Sequence, residues 1–95
     1  MQQQQSDIET KIVKRILRYF VHNPTAADSL EGVARWRLLE EQIQNSVLQT
    51  DAALTWLVSQ GFLQEVKPAG AVALFRLDPK RRADAIRFLE EQDQA

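Results

Sequence analysis

His22 is the only histidine in this 95-residue chain, and the chain contains no cysteine. Without cysteine there is no thiol nucleophile, no Cys-ligated zinc and no disulfide framework. One histidine rules out a multi-His metal site within a single chain. No Ser–His–Asp spacing, phosphate-cradling glycine loop or metal-ligand cluster surrounds His22. Its expected place is the C-terminus of a helix, where the helix dipole mildly favours imidazolium. The carboxylate pairs Glu40-Glu41 and Glu90-Glu91 are consecutive in sequence. On a helix such neighbours point in different directions, so they form solvated faces and not an acid–base pair. The residues predict neither an enzyme nor a bound cofactor or metal. What remains is the chemistry of binding, carried by the polar residues Gln44, Asn45, Ser46, Gln49, Thr50 and Asp51 and by scattered lysines and arginines.

The composition sets limits on the partner. The chain is 44% hydrophobic and 26% charged, with 12 Lys+Arg against 13 Asp+Glu and a formal net charge of −1. These values describe one ordinary globular domain. A strongly basic nucleic-acid coat and an acidic disordered tail are both excluded. No apolar run approaches the roughly 18 residues of a membrane span. The first residues lack the basic and apolar regions of a signal peptide, so a cytoplasmic location is the expectation.

The elements that must position the binding residues can be read from periodicity and caps. Residues 1–6 are expected to be disordered, 7–92 to form the domain and 93–95 to fray. Ser6 with Glu9 makes a capping-box pattern. Behind it Ile8, Ile12, Val13, Ile16, Leu17 and Phe20 recur at helical spacing, with Lys11, Lys14, Arg15 and Arg18 off that stripe. The breaker pair Asn23-Pro24 predicts an end near His22. Asp28 as a cap predicts a second helix from Ser29 to about Glu41, with Leu30, Val33, Ala34 and Leu38 on its apolar face. Gly32 inside it costs about 1 kcal/mol against alanine and suggests the close approach of another helix. A third helix is predicted from about Ser46 to Gln60, with Val47, Leu54, Leu57 and Val58 as its stripe and Gly61 as its stop. The period then shortens. Phe62–Lys67 and Ala71–Leu77 alternate around Pro68-Ala69-Gly70, which predicts a β-hairpin. Asp78-Pro79 opens a last helix with Ala85, Ile86 and Leu89 on a narrow apolar face, and Glu90 to Ala95 reads as a fraying tail.

The order helix, helix, turn, helix, hairpin, helix resembles the winged helix-turn-helix domain of bacterial regulators. The stretch Ala53-Leu54-Thr55-Trp56-Leu57-Val58-Ser59-Gln60-Gly61-Phe62-Leu63 is similar to the end of that fold's third helix running into the first wing strand. Leu74-Phe75-Arg76-Leu77 is similar to its second wing strand. The resemblance covers about residues 8–89. It implies a mainly α domain with a β-hairpin wing, whose third helix enters the major groove in DNA-binding members.

On that frame the candidate partner or base contacts are Gln44, Asn45, Ser46, Gln49 and Thr50. Gln and Asn suit adenine edges, and Ser and Thr suit phosphates or bases. Arg35, Arg37, Lys67 and Arg76 are the candidate phosphate contacts. The charge argues the other way. Residues 38–66 contain no lysine or arginine but four acids, Glu40, Glu41, Asp51 and Glu65, and phosphate neutralisation supplies most non-specific affinity. The sequence therefore favours a non-enzymatic protein-interaction or assembly module. Trp36 and Trp56 are then the candidate interface anchors, and a homodimer through the last or the first helix is one form of self-association. A DNA-binding transcriptional regulator is the alternative. Lys80, Arg81 and Arg82 sit at the start of a helix, where the dipole disfavours cations, which points to a role beyond helix stability or to pairing with Asp78 and Asp84.

Overall fold

The computed structural model describes residues 10–41 and 47–94, with side chains described for 10–35 and 47–92. The elements run α1 (Thr10–His22), β1 (Ala27–Ser29), α2 (Leu30–Glu41), α3 (Val47–Ser59), β2 (Leu63–Val66), β3 (Leu74–Leu77), a 3-10 turn (Pro79–Arg81) and α4 (Arg82–Gln94).

α1 buries the predicted stripe, Ile12, Val13, Ile16, Leu17 and Phe20, and adds Val21. Lys11 and Arg15 are exposed on the opposite side, with Lys14 and Arg18 half-buried. The helix stops where expected. Both the backbone N–H and the side-chain Nδ2 of Asn23 donate to the Tyr19 carbonyl, at 3.0 and 2.8 Å.

The second start signal works one residue later than predicted. Asp28 lies in strand β1, which is too short to show an alternating pattern, and its carboxylate accepts from the Ser29 N–H at 2.9 Å. Ser29 is the cap: its hydroxyl accepts from the Gly32 N–H at 3.0 Å, the bond a cap makes to the third helical residue. This also explains Gly32, and the explanation is not another helix. A Cβ built on Gly32 would overlap the carboxylate of Asp28. Gly32→Ala is therefore expected to displace the Asp28 carboxylate from the Ser29 N–H, a loss of about 1 kcal/mol that cancels the propensity gain of alanine. In an Asp28→Ala background the same change should instead stabilise by about 1 kcal/mol, the propensity gain alone. Thermal melts of the four proteins check the difference between the two backgrounds.

α3 ends at Gly61 in a Schellman arrangement. The Phe62 N–H donates to the Leu57 carbonyl at 3.1 Å and the Gly61 N–H to Val58 at 3.0 Å. Gly61 has φ +84, a conformation that costs a side-chain-bearing residue about 1–2 kcal/mol. The cap hands Phe62 and Leu63 straight into the core.

The wing is a hairpin within a three-stranded antiparallel sheet of order β1-β3-β2. Arg76 stands opposite Ala27 on one neighbour and Gln64 on the other. β3 alternates as predicted, with Phe75 and Leu77 buried and Arg76 exposed. β2 does not: Leu63 is buried, but Gln64, Glu65 and Val66 are all exposed. β2 is an edge strand, and only its first residue lies over the helices. The paired segments are also shorter than the alternation suggested.

The helices close the core from the other side. Ile16, Leu17, Phe20, Val33, Leu54, Leu57 and Leu77 form its centre, and Ala85 and Leu89 bring α4 into it. α4 continues as helix through Gln94, past the point where a fraying tail was expected. Asp78 caps the preceding 3-10 turn, accepting from the Lys80 N–H at 3.0 Å, with Pro79 in the first position. The cations that follow have structural work. The Arg82 guanidinium donates twice, through Nε and Nη2, to the Val21 carbonyl at 3.2 and 3.1 Å. It thus supplies donors at the C-terminal end of α1, where carbonyls lack helical partners. Arg81 pairs with Asp84 at 2.9 Å and lies over the Phe62 ring at 5.3 Å.

Candidate functional site

Only the outward side of α3 is open to a partner, since the rest of that helix is packed. Thr50, Ala53, Leu54 and Leu57 are buried, and at 3.6 residues per turn they share one side. The opposite side carries Leu48, Asp51, Ala52, Thr55 and Ser59. Of these, Leu48, Asp51, Thr55 and Ser59 are exposed and Ala52 is half-buried. The stripe is made of short side chains around one leucine, and α3 contains no lysine or arginine.

Several candidate contacts fall into place differently than expected. Thr50 is 0% exposed, so it faces the core and has no surface with which to reach a base. Gln49 is exposed, as expected. Gln44, Asn45 and Ser46 lie outside the described residues. Leu48, which is not among the candidate contacts, is the most exposed large apolar residue described, at 82%, with Val47 beside it at 48%. The sign was available: Leu48 is out of phase with the Thr50-Ala53-Leu54-Leu57 stripe, by about half a turn.

The candidate phosphate contacts are split. Lys67 and Arg76 are both exposed on the hairpin, and Arg35 is exposed on α2. The Arg37 side chain lies outside the described residues. Residues 67–82 hold five cations, Lys67, Arg76, Lys80, Arg81 and Arg82, against one acid, Asp78, a net +4. Arg81 and Arg82 are engaged as described above. The side chains of Lys67, Arg76 and Lys80 form no ion pair or hydrogen bond among the described residues. The positive charge missing from α3 is thus found in the wing and the turn after it.

The candidate interface anchors also separate. The Trp36 side chain lies outside the described residues. Trp56 is half-buried, packs against the core and leans on Phe88 with ring centroids 5.8 Å apart. With Thr10, Val13, Phe88 and Gln92 it lines a shallow pocket of about 280 Å³ between α1, α3 and α4. Most of the α4 stripe expected to serve a dimer packs within the chain. Ala85 and Leu89 are buried against the chain's own core, while Ile86, the third residue of the stripe, is half-buried. His22 is exposed at the end of α1. Among the described residues no three His, Asp or Glu side chains gather into a metal site, and no helix is long and apolar enough to cross a membrane.

No family model matches the chain, and no curated protein matches it. Among solved structures, a mutant of ZitR from Lactococcus lactis is similar, at 18% sequence identity with a TM-score of 0.59. The match covers 99% of this chain and 60% of that one, so the chain spans about three-fifths of the length of the protein it resembles. At that identity the likeness concerns fold. With the helix order, the three-stranded sheet and the hairpin between α3 and α4, it makes this chain a single winged-helix domain.

Proposed function

We propose that this chain is a DNA-binding regulatory module that lays the outward stripe of α3 along the duplex and holds phosphates with its wing. The observation that carries this reading is the set of three exposed cations, Lys67, Arg76 and Lys80, which have no ion-pair partner among the described residues. The winged-helix fold supports the reading, because in DNA-binding helix-turn-helix proteins the recognition helix enters the major groove. Short side chains on α3 suit a close approach to base edges. The cation-free stretch that favoured a protein partner in the sequence still holds for α3. It limits what α3 itself contributes, while the wing supplies the phosphate contacts. Lys67, Arg76 and Lys80 serve here as phosphate contacts, with Arg35 on α2 as a fourth candidate.

Fluorescence anisotropy against random-sequence duplex, stepped from very low to physiological salt, tests the reading. Three phosphate contacts predict a log–log slope of about −2.7, at about 0.9 per phosphate. No binding at the lowest salt overturns it. The exposed Leu48 and Val47 then favour the second reading, a module that docks on another protein through the start of α3.

A further inference from the structure

We infer that Leu48 reads the C5-methyl group of thymine in the major groove, which makes this module selective for sites with thymine under the first turn of α3. The inference rests on the DNA-binding reading and goes further, to the base it distinguishes. Single exposed leucines are common on protein surfaces and need no explanation. Leu48 differs in position and in company. It stands in the first turn of α3, and recognition helices contact base edges with their N-terminal residues. It also heads a row in which Ala52 and Thr55 follow at i+4 and i+7, each carrying a methyl group on the same outward side.

The chemistry available to this row is narrow. α3 has no arginine or lysine, so the bidentate contact to guanine O6 and N7, the commonest specific contact, is absent. Thymine is the base that offers an apolar group in the major groove. A leucine, an alanine and a threonine methyl therefore have one complementary feature on a duplex. Asp51, on the same side and exposed, repels phosphate and accepts hydrogen bonds only, which on base edges suits the cytosine N4 amino group. The row thus disfavours guanine on the contacted strand and rewards a methyl.

The experiment begins by selecting the tightest duplexes from a random pool at low salt, using the full chain. Each thymine of the selected site is then replaced singly by uracil, which removes only the methyl. The expected result is a loss of about fourfold in affinity at one or two positions, the size of one buried methyl group, with the others unchanged. Leu48→Ala, exposed and so expected to melt at the wild-type temperature, should bind thymine and uracil versions equally while keeping the wild-type salt slope. Discrimination that is absent in the wild type, or that survives in Leu48→Ala, overturns the inference and leaves the DNA-binding reading standing. If no duplex is bound in a salt-dependent way, both fall together.

Discussion

A Lys67→Ala/Arg76→Ala double variant is expected to melt like the wild type and to lose about two-thirds of the salt dependence of duplex binding. Three exposed cations, Lys67, Arg76 and Lys80, predict a slope of about −2.7, and the double variant retains Lys80 alone, with a slope near −0.9. At low salt, where counterion release is most favourable, this is the largest loss any pair of surface substitutions should produce. The fold should tolerate it. Lys67 and Arg76 are exposed, and neither side chain holds another in place among the described residues. Alanine in place of Arg76 on the central strand costs at most about 1 kcal/mol in strand propensity. A Lys67→Arg/Arg76→Lys control should keep the full slope, because the phosphate term counts charges. Equal slopes for the wild type and the double variant would remove the wing from the interface.

The α-helical frame was largely legible because it rests on strong local signals. The stripe from Ile12 to Phe20 has one period, and Gly61 and the Asp78-Pro79 pair mark boundaries that the chain uses. The signals that misled are those with two equivalent readings. Asp28 and Ser29 are both good caps, and only tertiary pairing of Ala27–Ser29 with Leu74–Arg76 decides that Asp28 belongs to a strand. Such a strand of three residues has no period to read. Gly32 belongs to the same case: its need is set by a side chain four residues away, once the chain there is folded.

The candidate site was harder to read because helix phase and side-chain polarity conflict there. The predicted stripe Val47, Leu54, Leu57 and Val58 already brackets Thr50, which follows Val47 by three residues and precedes Leu54 by four, so helix phase places Thr50 inside and only its polar side chain argues for an outward place. In the structure the stripe is centred on Ala53, Leu54 and Leu57, with Thr50 completing it, and Val47 and Val58 stand at its flanks. A small polar residue at a buried position and a large apolar residue at an exposed one both contradict composition-based assignment. The cations failed in a different way. Their sequence clustering at Lys80-Arg81-Arg82 hinted at binding, but only the geometry separates Arg81 and Arg82, engaged with Asp84 and with the Val21 carbonyl, from Lys80.

The phase of α3 can be measured directly with a pair of arginines. Thr50→Arg places a guanidinium at a position that is 0% exposed. A buried charge without a partner costs about 3–5 kcal/mol, a large part of the roughly 5–15 kcal/mol that holds a small domain together. The variant is expected to be unfolded or to melt far below the wild type. Thr55→Arg changes the same residue type on the opposite side, where the side chain is exposed, and should leave the melting temperature within a few degrees. On the outward stripe the new cation adds a phosphate contact, so duplex affinity should rise and the salt slope should steepen by about 0.9. Circular dichroism and anisotropy on both variants give the answer. A folded Thr50→Arg that binds duplex more tightly would show that α3 presents Thr50 to the outside. A folded Thr55→Arg with unchanged or weaker duplex binding would mean that the outward stripe does not face DNA, and the docking surface for a protein partner would then be sought at Leu48 and Thr55.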